Sequence, residues 1–430
     1  MSLIAALLLS ATLDFTTVDR AIESQLKSRS IPGAAVVVVQ GDRVVHAHAY
    51  GVASTETQAP VTTATLFRLG STTKMFVAVA ALRLADAGKL SLDRPIGELA
   101  ADLPPPLRKL TLEQLLTHTA GLSDDAPMQG PLEESALHAR VRAMGDDAFF
   151  TTPGEVMSYA NPGYVVVGDV IAAASGKTFS EALDELVLRP AGMTRSTFRP
   201  LIAMTYPLAI GHDGLNVIRP FAEHAGNYPP GSLFTSVDDV GKFLIALLNR
   251  DAALLERMAT PRARIEPQER HYGYGLLVQE YRGTRLAVHT GARSGYGSIV
   301  MILPKERVAV AILANRTGAI LSGEAFEIID RFVDGPQTPR PAEASLPISA
   351  AEIAELAGSY VNSAAIRAEL ADEGGTLVVK FAGKTLPATK VAADRYRVAP
   401  GTQLESFVIV RDKEGRPRYL TSSVWALRKR

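Results

Sequence analysis

Apolar positions along this chain of 430 residues change period three times, and each change predicts a different kind of element. Val18, Ile22 and Leu26 fall four apart, which predicts an amphipathic helix reaching Ser28. Ala34 to Val39, the turn Gln40-Gly41-Asp42 and Arg43 to Tyr50 then predict a β-hairpin. From Thr72 to about Leu248 the pattern is mostly helical, broken by loops rich in Pro and Gly. Two helix starts carry capping signals, Thr111 with Gln114 and Ser236 with Asp239. His118 closes the first of these helices and reads as a partner of its C-terminal dipole. A further helix pattern begins around Val165, which leaves Tyr159 and Asn161 on an extended loop before it, both side chains facing one way.

Strand patterns return from residue 270, in Gly273–Val278, Arg285–His289, Gly297–Ile302 and Val308–Leu313. Early and late strands are expected to share one sheet, with the helical insertion as a second lobe and a helix over Leu321 to Val333 closing the domain. Residues 334–349 read as a linker, polar and rich in Pro. Beyond it short strand-like runs such as Leu377–Phe381, Arg395–Val398 and Ser406–Val410 alternate with turns. The expected class is therefore α/β of the α+β kind: an antiparallel sheet flanked by helices plus a helical lobe over residues 15–333, then a small all-β barrel over 350–430.

Composition narrows the chemistry. Lys plus Arg and Asp plus Glu balance at 45 each, so no global charge points to nucleic acid or an anionic membrane. The absence of Cys excludes disulfides, thiol nucleophiles, cysteine-ligated metal and a lipoprotein anchor. Residues 1–14 resemble a signal h-region without the usual positive start, so export to the periplasm or medium and a cytoplasmic location both stay open. No run reaches the roughly 18 apolar residues needed to span a bilayer. His46 and His48 share a strand face, but with no third ligand near in sequence they fall short of a metal site. Gly176-Lys177-Thr178 and Gly383-Lys384-Thr385 lack the earlier Gly of a phosphate loop, holding Ile171 and Val378 there.

Three short motifs carry the candidate chemistry. Ser71 and Lys74 sit three apart at a helix start after Gly70, so the amine can reach the hydroxyl. The positive end of the helix disfavours an ammonium there, the condition for activating a serine without a histidine. Tyr159-Ala160-Asn161 offers a second proton carrier and an amide. His289-Thr290-Gly291 ends a strand with a polar handle and a Gly that lets substrate approach the backbone. Each motif has a decoy or is weak alone: Ser24-x-x-Lys27 lies mid-helix without a Gly turn, and Tyr360-x-Asn362 lies on a tail strand.

Taken in order, the three motifs resemble the serine penicillin-recognising enzymes, the group of class C β-lactamases, DD-carboxypeptidases, D-aminopeptidases and related esterases. Leu115 to Leu122 and Ile31 to Ala35 resemble recurring segments of that group, and the resemblance covers about residues 15–333. Class A β-lactamases match less well, because Ser123-Asp124-Asp125 ends in the wrong residue. The resemblance implies that Ser71 forms an acyl-enzyme, with Lys74 and Tyr159 sharing the proton work and the choice of base left open. It implies that Asn161 binds the substrate's side chain and that His289, Thr290, Gly291 and Ala292 line the site. Backbone N–H groups of Ser71 and Ala292 would form the oxyanion hole. No metal or cofactor is implied. His289 stands where lactamases of this group usually carry Lys, which steers away from efficient antibiotic hydrolysis. Arg293 and Arg285 are compensating charges or ordinary strand-end residues. The tail resembles the lipocalin-like domains appended to D-amino-acid peptidases of the group.

The expected function is a metal-free serine hydrolase acting on amides or esters, of the D-amino-acid peptidase, DD-peptidase or esterase kind. Alternatives are a β-lactamase with weak or incidental turnover and a catalytically silent penicillin-binding or scaffold protein. The expected partner is a small molecule or short peptide, without nucleic acid or a membrane span; oligomeric state stays open.

Overall fold

A computed structural model describes residues 14–125, 127, 129–336, 344–398 and 404–430. All but Asp14 of the expected signal segment, and residues 337–343 of the expected linker, lie outside the described residues. Strands Gly33–Gln40 and Val308–Ala314 pair inside an eight-stranded sheet, near one edge. Arg43–Gly51 flanks them on one side. On the other, Tyr296–Leu303, Thr284–Arg293, Leu277–Tyr281, Arg270–Tyr272 and Ala263–Ile265 follow in that order. Every pairing is antiparallel. Early and late strands thus share one sheet, with the helical lobe between them in sequence.

Gly33–Gln40 and Val308–Ala314 are apolar without alternation because both faces are covered. Ala35, Val37 and Val39 enter one core, under the helices Thr73–Asp86 and Val237–Leu248. Ala34, Val36 and Val38 enter a second core, under Thr16–Ser28 and Ser322–Ile329. The helix Thr73–Asp86 is buried on nearly all sides, so its weak amphipathic pattern fits its position inside the molecule. Two helix starts carry the capping contacts their sequences predict, at Thr111 with Gln114 and at Ser236 with Asp239.

The tail closes into an eight-stranded up-and-down barrel from Gly358–Val361 to Trp425–Lys429, which pair with each other. A helix, Ala350–Leu356, precedes it and places Ile353 and Leu356 in the barrel core, an element absent from the sequence expectation. The barrel wall packs Tyr419 and Ala426 against Phe150 of the first domain, and Arg418 Nη2 pairs with Glu155 at 2.6 Å. His46 bonds Asp19 at 2.9 Å and stacks on Phe15, a structural use of the strand-face histidine. Among the described residues no group of three or more potential ligands could hold a metal ion, and no helix is long and apolar enough to cross a membrane.

Candidate active site

Gly70 opens the turn that carries Ser71 at φ 58°, a left-handed conformation that suits glycine. A Cβ there would meet the Ala292 nitrogen at 2.8 Å, so the turn lies directly against the strand Thr284–Arg293. Ser298 Oγ donates to the Leu69 carbonyl at 2.6 Å, and Thr72 Oγ1, 2.9 Å from both groups, gives its one proton to either, pinning the turn from beneath. Ser71 is left half-exposed, while Thr72, Thr73 and Lys74 are buried.

Lys74 Nζ has three partners: Ser71 Oγ at 3.2 Å, Asn161 Oδ1 at 2.8 Å and the Pro230 carbonyl at 2.9 Å. Two of these accept only. A neutral amine would give them its two N–H bonds and turn its lone pair to the Ser71 hydroxyl. Burial pulls the Lys74 pKa down to about 7; Asp124 opposes that shift and Arg293 adds to it. Desolvation therefore does most of what the sequence reading assigned to the helix end. Asp124 Oδ1 accepts from both the backbone N and Nδ2 of Asn161, at 2.9 and 3.0 Å. Burial raises the Asp124 pKa, while the Asn161 bonds and Lys74 oppose that shift; in its ionised form the carboxylate only accepts, which fixes which end of the Asn161 amide faces Lys74.

Tyr159 lies with its ring 4.7 Å from Lys74 Nζ. Its buried hydroxyl completes no hydrogen bond. Burial raises its pKa well above the ordinary value, with Ser71 pulling the other way. The helix carrying Asn161 runs Asn161–Ser175, so Asn161 is its first residue and not part of an extended loop ahead of Val165. Pro162 in the first turn was the signal for that start.

His118 supports this corner from below. Its Nδ1 accepts from the Ala160 N–H at 3.1 Å, and its ring lies 4.3 Å from that of Tyr159. Burial first, then Lys74, keeps it neutral, so a charged partner for a helix dipole does not describe it.

The third motif divides by strand alternation. Thr290 and Ala292 face outward, half-exposed and exposed, whereas His289, Gly291 and Arg293 point inward and are buried. Both His289 nitrogens are engaged, Nδ1 with the Thr290 carbonyl at 2.7 Å and Nε2 with the Tyr272 hydroxyl at 2.9 Å. Burial and Lys74 push its pKa down to about 3. His289 is therefore a neutral packing residue behind the site with no free N–H for a substrate, a correction of the expected lining role. Gly291 differs from expectation too: a Cβ there would strike the Leu69 carbonyl at 1.9 Å, so the close approach it permits is by the chain's own backbone just before Gly70 and Ser71.

Sequence reasoning missed a buried ion triad. Glu223 pairs with Arg68 at 2.5 Å and Arg293 at 2.6 Å, and all three side chains are almost fully buried. With two cations and one anion it adds positive potential near Lys74. Arg293 is thus no ordinary strand-end charge, whereas Arg285 pairs with exposed Glu256. The partners lie far apart in sequence, with no local pattern to connect them.

A family model described as Beta-lactamase matches residues 18–327. Penicillin-binding protein 4 of Amycolatopsis lactamdurans is 26% identical over 364 residues, covering 77% of this chain and 93% of that protein. Protein flp of Staphylococcus aureus (strain N315) is 23% identical over 312 residues; the match spans 69% of this chain and 62% of that protein. Among solved structures, that of SurE with D-Leu superposes with a TM-score of 0.77 at 24% identity, covering 96% of this chain and 99% of that one. That last likeness is one of fold, and it extends across both domains.

Proposed function

Since this chain belongs to the beta-lactamase family, whose members are serine hydrolases, we propose that it hydrolyses amides or esters through an acyl-enzyme on Ser71. The observation that carries the proposal is a buried amine, its pKa near 7, lying 3.2 Å from a half-exposed serine hydroxyl. In this reading neutral Lys74 takes the Ser71 proton as Oγ bonds to the substrate carbonyl carbon. The oxyanion that forms is met by the N–H groups of Ser71 and Ala292. Tyr159, held protonated by burial, gives its proton to the leaving amine or alcohol as the C–N or C–O bond breaks, and recovers one from Lys74. Water then attacks the ester carbon and releases Ser71 by the reverse proton path. Asn161 and Thr290 orient the acyl group.

The substrate class we propose is small esters or short peptides bearing D-residues. The solved structure of SurE with D-Leu, alike across both domains, supports D-residues, and the neutral His289 weighs against strong recognition of a lactam carboxylate. A fluorescent penicillin and a chromogenic ester, each given to wild type and Ser71→Ala, test the proposal. The expected outcome is a stable penicillin adduct and ester turnover in wild type, both lost in the variant. Rapid lactam turnover would reassign the substrate, and no covalent reaction at Ser71 would end the acyl-enzyme reading.

A further inference from the structure

The second Tyr-x-Asn triplet, set aside in the sequence as a decoy, touches the site from the other domain. We infer that Asn362 of the barrel is a positioning residue for the acylation centre, setting Asp124 and the Tyr159 segment and, through them, Asn161 and Lys74. The inference rests on the acyl-enzyme reading and adds to it a domain that builds the site.

Asn362 is buried immediately after the strand Gly358–Val361. Its Oδ1 accepts from the Asp124 N–H at 3.0 Å. Its Nδ2 donates to Ser158 Oγ at 3.1 Å and to the Ala426 carbonyl at 3.0 Å. Its own carbonyl accepts from Ser123 Oγ at 2.9 Å, and its N–H donates to the Ile366 carbonyl at 2.9 Å. The side chain thus ties two separate loops of the first domain to the last barrel strand. Only a short amide offers two donors and an acceptor in that reach; Asp lacks the donors, and Gln adds a methylene in a closed space.

The residues it grips adjoin the machinery. Asp124 holds both N–H groups of Asn161 and so orients Asn161 Oδ1 at Lys74. Ser158 precedes Tyr159, whose own N–H donates to the Val424 carbonyl of the barrel at 2.7 Å. The Ala426 N–H adds a bond to Ser158 Oγ at 3.0 Å. Burial raises the Asp124 pKa, opposed by its bonds from Asn161, by Lys74 and last by the indole of Trp425, whose buried N–H completes no hydrogen bond. The domains are also joined by Arg418 with Glu155 and by Phe150 against Tyr419. The Asn362 contacts fall instead on the two segments whose placement decides proton transfer, where an error of about 1 Å costs on the order of 100-fold in rate.

The same relay has a pH signature. The groups facing Lys74 are Asp124, Arg293, Tyr159, Tyr164, His118 and His289, and of these only Asp124 favours the ammonium by charge. If Asp124 drifts away, Lys74 gives up its proton more easily. The acid limb of the rate profile then moves to lower pH, a change that a smaller folded fraction does not produce.

The test uses full-length wild type, Asn362→Ala and Arg418→Ala, with fluorescent penicillin to time acylation of Ser71 and the chromogenic ester for kcat and KM across pH. Asn362→Ala is expected to slow acylation and kcat by about 10- to 100-fold, as when a partner that orients a functional side chain is removed, with KM little changed. Its acid limb moves to lower pH. Arg418→Ala is expected to match wild type. Should Asn362→Ala fail to fold, Ser158→Ala removes one acceptor of the same amide and is expected to show a smaller loss with the same pH displacement. Wild-type rates and an unmoved limb in the folded variant would overturn the inference, as would equal slowing by Arg418→Ala. Wild type that is never labelled at Ser71 would remove the acyl-enzyme reading and this inference with it.

Discussion

Tyr159-x-Asn161 and Tyr360-x-Asn362 contain the same residue types at the same spacing and differ in their hydrogen bonds. In the first, the tyrosine hydroxyl is buried without a partner and its ring faces an amine. In the second, the tyrosine hydroxyl donates to the Leu356 carbonyl at 2.8 Å, and the ring fills the barrel core. The asparagines differ in parallel. Asn161 turns its amide oxygen to a lysine of shifted pKa, while Asn362 spends every group on fixing neighbours. A buried polar group left unsatisfied costs stability, and native folds carry few of them. The unsatisfied tyrosine is therefore the one to suspect of chemistry, and the satisfied one of structure.

Tyr159→Phe gives this contrast its hardest test. Loss of a proton donor at the reacting atoms is expected to lower kcat by about 10²- to 10⁴-fold. Stability should hold or rise, because the hydroxyl removed has no partner to abandon. Ester kinetics and thermal unfolding of the same preparation measure both. A fully active Phe variant would place Tyr159 beside Tyr360 as a packing residue and break the comparison.

Next in size is the pH dependence that Lys74 confers on the first triplet. With its pKa near 7, acylation is expected to follow an acid limb with its midpoint near pH 7, losing tenfold per pH unit well below it. The linkage to stability runs in a defined direction. The unfolded chain keeps the Lys74 proton up to about pH 10.5, whereas the folded chain releases it near 7. Folding is penalised below pH 7, and the penalty fades as pH rises through that window, by at most about 1.4 kcal/mol per pH unit. Lys74→Met should flatten that rise in unfolding free energy while abolishing the acid limb along with activity. Denaturant titrations of both proteins between pH 7 and 10 check it; parallel curves would show that Lys74 keeps its ordinary pKa.

Much of the first triplet's setting was legible from local pattern. Ser71 and Lys74 were readable because three-residue spacing at a helix start forces proximity, and Gly70 marked the turn. Strands Gly33–Gln40 and Val308–Ala314 announced themselves by unbroken apolar runs. What stayed hidden depended on which face of an element turns inward, or on partners distant in the chain. His289 and Thr290 are neighbours, yet only the docking of their strand decides that one is buried and the other half-exposed. Glu223 joins Arg68 and Arg293 across the molecule, and no periodicity foretells a triad. The start of the helix at Asn161 was misplaced because Ala160 before it supplies no capping side chain. Asn362 was unreadable for the deepest reason: its partners belong to another domain, and docking between domains leaves no period in either.

The smallest expected effect separates barrel strength from site setting. Tyr360→Phe removes one buried hydrogen bond to the Leu356 carbonyl and leaves the ring in place, a loss of about 1 kcal/mol. Chemical denaturation followed by the fluorescence of Trp425, the sole tryptophan, reads the barrel directly. A lowered midpoint with unchanged kcat is expected, because Asn362 keeps its grip as long as the barrel is folded. Tyr360 and Asn362 would then divide their work within one triplet, the tyrosine holding the barrel and the asparagine holding the site. If kcat falls as well, barrel stability itself reaches the acylation centre. The coupling would then belong to the strand Gly358–Val361 as a unit and not to the amide of Asn362.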